Sequence, residues 1–263
     1  VQVMRMKNNS LLVSGIAVAL LGIGAAQAAD QPVSGGALTW GVTTEPSCFD
    51  PHRSSQQAAF FVARNYIDSL IAKKTDGTFA PWLATEWSIS ADGKEYTYKL
   101  REDVVFHDGE KFDAAAVKAN FDFIFKPENA ATAVSLLQTF DHAEVVSPYV
   151  VKLVLSKPDS SFLESTSNVK LGLISPKALE KGDLCGGGRA LAGTGPFIFE
   201  GYTRGQSAVF VRNPAYKWGP GNAAHDGPAY LDRVTFRFLP EYAVRTGALT
   251  SGQVDLIEGV QPT

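Results

Sequence analysis

A change of hydrophobic period near residue 78 restricts the fold more than any other feature of this chain. Trp87-Ser88-Ile89-Ser90 and Tyr96-Thr97-Tyr98-Lys99-Leu100 alternate as strands around Ala91-Asp92-Gly93, and a second Asp-Gly turn, Asp108-Gly109, follows Val104-Val105-Phe106. Strand-like alternation broken by Asp-Gly predicts a meander of hairpins. The period then becomes helical. Asp113 reads as the N-cap of a helix reaching about Phe125, with Val117, Phe121 and Ile124 as its buried stripe. A further hairpin, 143–147 with 150–155, turns around Pro148. Strand groups interrupted by helices over 71–181 predict an α+β region.

Flanking segments use the same vocabulary in a different order. Ala37-Leu38-Thr39-Trp40-Gly41-Val42 reads as a first strand and 43–51 as the loop at its carboxyl end. Residues 56–70 place Phe60, Ala63, Ile67 and Leu70 on one face and predict an amphipathic helix. A Gly-rich passage, 182–195, contains Gly186-Gly187-Gly188 and marks a boundary or connection. Beyond it come a hairpin (197–201 with 208–212), a long loop (213–228), a strand (234–239), a helix (241–250) and a strand (254–257). The whole is α/β in class, with a mixed α+β insertion.

The start of the chain predicts export. Arg5 and Lys7 precede an uncharged stretch, 8–29, with Leu11, Leu12, Val13, Ile16, Val18, Leu20, Leu21 and Ile23 as its apolar part, and Ala26-Gln27-Ala28 fits a small-x-small cleavage site. A membrane anchor is the alternative, but Ser14, Gly15, Gly22 and Gly24 interrupt a stretch already short for a span. Ala29 and Asp30 stand where a lipid-anchored protein would carry cysteine, so the expectation is a soluble, unanchored protein. Cleavage before Ala29 leaves 235 residues with 22 basic against 27 acidic, a charge of −5 that argues against nucleic acid as partner. Cys48 and Cys185 are the only cysteines, and an even pair without C-x-x-C spacing in an exported chain favours a structural disulfide.

Reaction chemistry is hard to find. There is no G-x-S-x-G elbow, and Leu191 stands where the third glycine of G-x-G-x-x-G would follow Gly186 and Gly188. His52, His107, His142 and His225 are scattered singly. Three of them adjoin an aspartate, which could make half a triad or a metal ligand, yet no second histidine or nucleophile accompanies them. No metal, cofactor or catalytic residue is therefore expected.

Ordered short matches run along nearly the whole exported part: Trp82-Leu83-Ala84 with Trp87, Ser90-Ala91-Asp92-Gly93, Tyr96-Thr97-Tyr98, Leu100-Arg101, Phe106-His107-Asp108-Gly109 and Asp113-Ala114. They continue through Gly193-Thr194-Gly195-Pro196-Phe197, Asn213, Tyr216, Leu231-Asp232, Phe236-Arg237, Arg245, Ala248-Leu249, Ser251-Gly252 and Val254-Asp255. In this series the chain resembles the peptide-type, family 5 extracytoplasmic solute-binding proteins that serve ATP-binding-cassette importers.

That resemblance implies a two-lobe, type II, dipeptide-binding-like protein closing on its ligand by a hinge, of which this chain carries lobe I. Residues 29–70 and 190–263 would form the mixed-sheet core of the lobe and 71–189 an appended β-rich subdomain. The second lobe would begin near residue 263 and is missing here. The implied function is capture of a small solute in the periplasm, most simply a di- or oligopeptide, for the membrane permease, by a monomer without enzymatic activity. A nickel complex, an opine or an oligosaccharide are alternatives within the class, and an exported hydrolase is the alternative outside it. Open sheets place ligands beyond the carboxyl ends of their strands, which makes the 43–51 loop the candidate site. Glu45 could pair an amine, Ser47 hydrogen-bond a backbone and Phe49 form a wall, with Thr194 and Gly195 second. The same loop also has a purely structural reading, in which Glu45, Asp50 and Pro51 shape it and Cys48 staples it.

Overall fold

The computed structural model describes residues 32–181 and 184–260; the export signal expected over residues 1–28 lies outside them. In chain order come β1 (Ala37–Val42), α1 (Gln57–Ala63), β2 (Ile71–Lys73), β3 (Phe79–Pro81), β4 (Ala84–Ile89) and β5 (Glu95–Leu100). Next are α2 (Ala114–Phe125), β6 (Phe140–Ser147), β7 (Val150–Leu155), α3 (Phe162–Ser165) and α4 (Pro176–Glu180). The last are β8 (Phe197–Thr203), β9 (Ser207–Arg212), β10 (Arg233–Phe238), α5 (Tyr242–Thr250) and β11 (Leu256–Ile257). No helix among the described residues is long and apolar enough to cross a membrane.

Two sheets carry the architecture. One is five-stranded, ordered β11-β1-β10-β9-β8, with β1 parallel to both neighbours and β8, β9 and β10 antiparallel in sequence. A parallel pair cannot be closed by a tight turn, so α5 carries the chain from β10 across β1 to β11. Alternation along the strands sends Phe199, Phe210 and Phe236 to one face, where Phe199 and Phe210 lie 4.4 Å apart and Tyr66 stacks on Phe210 at 5.8 Å.

The other sheet is antiparallel, ordered β4-β5-β7-β6. Tyr96, Tyr98 and Leu100 of β5 and Val151, Leu153 and Leu155 of β7 turn inward with Val117, Phe121 and Ile124 of α2. The outer face is charged: Lys152 reaches Glu95 at 3.3 Å and Glu144 at 3.5 Å. Such one-sided burial is what an antiparallel sheet allows. Asp113 caps α2, its Oδ1 accepting the Ala116 N–H at 2.8 Å.

Two expectations are corrected. The helix predicted over 56–70 ends at Ala63, because the carbonyls that would continue it are taken by the chain entering β8. Gly195 N–H donates to Tyr66 at 3.1 Å and Phe197 N–H to Asn65 at 2.8 Å. The strand predicted at 104–106 contributes only a bridge, Val105 with Lys111, because the Asp108-Gly109 turn folds Phe106 back onto Glu110.

Each core draws on distant segments of the chain. Phe123, Ile174, Ala178 and Leu184 join the core of the five-stranded sheet, whereas Tyr216 and Trp218 join that of the four-stranded sheet. Asp68 sits where they meet, fully buried. Its Oδ2 accepts from Thr194 Oγ1 at 3.0 Å and Trp218 Nε1 at 3.2 Å, and its Oδ1 from the Tyr216 hydroxyl at 3.4 Å. Burial pushes the carboxyl up to about 7 against these bonds and the nearby Arg64 guanidinium. Arg64, half-buried, donates to Ser69 and Ser167 and lies 5.0 Å over the Trp82 ring.

His107, half-buried, is bonded through Nε2 to the Gly195 carbonyl at 2.9 Å and driven down to about 4, mainly by desolvation. The two groups act on stability in opposite directions. Native Asp68 holds its proton more tightly than the unfolded chain, so its contribution is largest below about pH 4 and is lost as pH rises toward 7. Native His107 holds its proton less tightly, so its contribution is present above about pH 6.5 and is lost as pH falls toward 4. Relative to the parent, Asp68→Asn will give a urea midpoint that rises more steeply with pH over this window, and His107→Asn one that falls. Parent-like slopes in both variants would refute the assignment. Asp68→Ala, which strands three donors, will cost on the order of 3 kcal/mol.

Candidate functional site

Three parallel strands, β1, β10 and β11, end on the same edge of the sheet, and the loops leaving them are tied together there. Leu239 N–H donates to Val42 at 2.9 Å and Glu258 N–H to Gly41 at 3.2 Å, extending the ladders past the strand ends. Glu258 then reaches back across β1. Its Oε1 accepts from both the amide of Thr43, at 2.6 Å, and the Thr43 hydroxyl, at 2.7 Å. Arg245 of α5, 3% exposed, donates to the carbonyls of Leu239, Pro240, Glu258 and Gly259 and so closes the loops after β10 and β11 from behind.

A cavity of about 210 Å³ opens on this edge, bounded by Val42, Thr43, Thr44 and Glu258 below and by Gln57, Ala58, Phe61 and Val62 of α1 above. It offers hydroxyls, an amide side chain, one carboxylate and an aromatic ring that is 41% exposed. That mixture suits a largely apolar ligand held by a few polar contacts. A second, shallower cavity of about 470 Å³ lies beyond the 43–51 loop, lined by Glu45, Pro46, Ser47, Cys185, Gly186, Tyr202 and Arg204.

The residues expected from sequence divide between surface and interior. Glu45 lines the second cavity, its Oε1 accepting from the Tyr202 hydroxyl and from Gly205 N–H at 2.8 Å. The Gly205 amide and then Tyr202 hold its carboxyl below the usual range. Ser47 is exposed beside it, with its N–H on Gln56 Oε1 at 2.7 Å. The other three lie inside the fold. Phe49 is 1% exposed and packs edge-on against Phe199 and Tyr202, so its ring walls the core and not a cleft. Thr194 is fully buried with its hydroxyl spent on Asp68. Gly195 passes so close to Tyr66 that a Cβ would stand 2.6 Å from its carbonyl carbon, and its own carbonyl accepts from His107 and Asn213.

Sequence reasoning missed Gln57, Phe61 and Glu258. The first two lie one turn apart on α1, a spacing visible in the sequence. Glu258 becomes a site residue only because β11 runs parallel to β1, which no local pattern states.

Hydrolytic chemistry finds no support here: His107 faces a backbone carbonyl, and Ser47 lies in a loop held by Gln56. The remaining histidines are also committed. His52 is buried against the Gly172 carbonyl at 2.8 Å, His142 lies between Asp141 and Glu144 on β6, and His225 packs 4.6 Å from the Tyr230 ring. Among the described residues no group of three or more His, Cys, Asp or Glu is arranged to hold a metal ion.

Cys48 and Cys185 are joined as a disulfide, and Phe49 N–H donates to the Cys185 carbonyl at 3.1 Å. The bond clips the 43–51 loop to the segment before β8 across 137 residues of sequence.

Comparison with known proteins gives a consistent result. The pattern described as "Bacterial extracellular solute-binding proteins, family 5 Middle" matches residues 78–263. The nickel-binding periplasmic protein of Escherichia coli K12 is 30% identical over 84% of this chain and 40% of its own length. The glutathione-binding protein GsiB of the same organism is 31% identical over 93% of this chain and 45% of its own. The solved structure of the ABC transporter-associated periplasmic binding protein DppA from Helicobacter pylori, in complex with peptide STSA, aligns with a TM-score of 0.74. It is 25% identical, over 87% of this chain and 47% of that one. The chain spans less than half the length of these relatives.

The disulfide carries a prediction. On the chain-entropy account, closing so long a loop stabilises the fold by about 5 kcal/mol. Cys48→Ser with Cys185→Ser should lower the urea midpoint accordingly and raise amide exchange over 44–49; a change below about 1 kcal/mol would contradict that role.

Proposed function

Because the chain belongs to the family 5 bacterial extracellular solute-binding proteins, a family of binding proteins and not of enzymes, we propose that it captures a small solute outside the cytoplasm for an ATP-binding-cassette importer. The observation that carries this reading is the family match over 78–263. What supports the place of capture is the open edge where β1, β10 and β11 end, facing the direction in which open sheets take ligands. Glu45 and Ser47 stand at the margin of that edge as second-rank contacts.

A short peptide is the solute we favour. The relatives include a glutathione-binding protein and a protein solved with a peptide. The edge cavity mixes apolar walls with hydroxyl and amide groups, and none of the four histidines lines it. Peptide capture through main-chain hydrogen bonds with roomy side-chain pockets would let one protein accept many sequences. An opine or an oligosaccharide would need a different set of polar contacts. The carrier works as a soluble periplasmic monomer without a lipid anchor, and delivers by docking to the permease.

A thermal-shift panel of Ala-Ala, tri-alanine, glutathione, nickel with histidine, an opine and maltotriose tests the reading. Saturation at about a hundred times Kd adds about 2.7 kcal/mol by mass action, a rise of roughly 5 °C or more. A shift with peptides is expected; a shift with nickel-histidine, the opine or the sugar alone would overturn the peptide assignment, and no shift with any solute would overturn capture by this chain.

A further inference from the structure

We infer that Cys185 is a thiolation site: a small-molecule thiol entering the cavity beyond the 43–51 loop exchanges with the disulfide there and is left joined to Cys185, with Cys48 released. The site is independent of which solute the chain carries.

The two bonded cysteines are not equally reachable. Cys48 is 8% exposed, with its sulfur 3.8 Å from the Asp50 carbonyl oxygen, and it does not line the cavity of about 470 Å³. Cys185 is half-buried and does line it, beside the exposed Gly186, which has no side chain to narrow the approach. In thiol–disulfide exchange the incoming thiolate attacks one sulfur along the S–S axis and expels the other. Attack from the cavity therefore joins the thiol to Cys185 and expels Cys48. Glu45 and Arg204 bring one charge of each sign to the lining, so the net charge of the cavity neither draws nor repels a thiolate. Reach decides, as it does for exposed against buried sulfur generally.

The step balances without an oxidant. The thiolate forms one S–S bond to Cys185 Sγ, the bond between Cys48 and Cys185 breaks, and its electron pair leaves with Cys48, which takes up a proton from water. Nor does the step require unfolding, because other contacts hold both cysteines in place. Phe49 N–H donates to the Cys185 carbonyl at 3.1 Å, the Tyr66 hydroxyl donates to the Phe49 carbonyl, and the Phe49 ring packs on Phe199 and Tyr202. Cys48 accordingly stays beside the mixed disulfide and can expel the thiol again. The modification is reversible, and its extent follows the thiol concentration outside the protein. What changes with it is the covalent tether on the 43–51 loop, which carries Glu45 and Ser47.

The test uses the folded, oxidised chain. It is incubated with reduced glutathione at rising concentration, quenched in acid over a time course, alkylated with N-ethylmaleimide and mapped by peptide mass spectrometry. In the first modified species glutathione is expected on Cys185 and maleimide on Cys48, about tenfold or more in excess of the reverse pairing, and the bias should vanish in urea. Glutathione on Cys48, equal partition in the folded chain, or no adduct without urea overturns the inference. Cys48→Ser and Cys185→Ser each leave one thiol and give a second measurement. Oxidised glutathione should react about tenfold or more faster with the thiol left in Cys48→Ser. Equal rates in the two folded variants overturn the inference, and if either variant fails to fold, the mapping on the parent decides.

Discussion

One buried carboxyl group, Asp68, holds the two halves of this structure in a single frame. Its three donors come from chain segments far apart in sequence: Thr194 at the entry to β8, and Tyr216 and Trp218 in the loop after β9. Nothing apolar could satisfy all of them, and water cannot reach them. A network of this kind specifies position more than it adds net stability, because desolvation of the carboxyl offsets much of what its hydrogen bonds contribute. The large upward displacement of its pKa is that cost seen from the proton's side.

From that junction the rest of the site geometry follows. The turn 64–70 is held to Ser69, Ser167 and the β8 entry, so α1 stops after seven residues and its first turn comes to rest above the end of β1. β1 in turn lies between two parallel neighbours, which brings three strand ends and their loops to one edge. Arg245 and Glu258 bind those loops from opposite sides, one with a guanidinium on carbonyls and the other with a carboxylate on an amide and a hydroxyl. The edge is therefore pre-organised, which lowers the ordering cost of binding.

Local pattern was a good guide wherever the relevant neighbour was near in sequence. The Asp-Gly hairpins, the Asp113 cap and the stripe of α2 all depend on contacts within a few residues or across a tight turn. Failures came where a distant segment claimed a backbone group. Residues 64–70 have a helical apolar period, yet their carbonyls serve the β8 entry. Phe49 reads as a ligand contact because its loop leaves the carboxyl end of the first strand, and Thr194 and Gly195 because they sit at a lobe boundary, whereas the structure commits each of them to packing or to Asp68 and His107.

The sequence by itself determined the kind of protein this is: mixed α/β, family 5 in its ordered motifs, with strands, turns and caps encoded by residues acting on their immediate surroundings. Only the tertiary structure decided which side chains face the strand-end cavity. That choice depends on β1 lying parallel between β10 and β11, a pairing made by residues about 200 positions apart. Hydrophobic periodicity tells a strand which face to bury, but it is silent about which strand lies beside it and in which direction that neighbour runs.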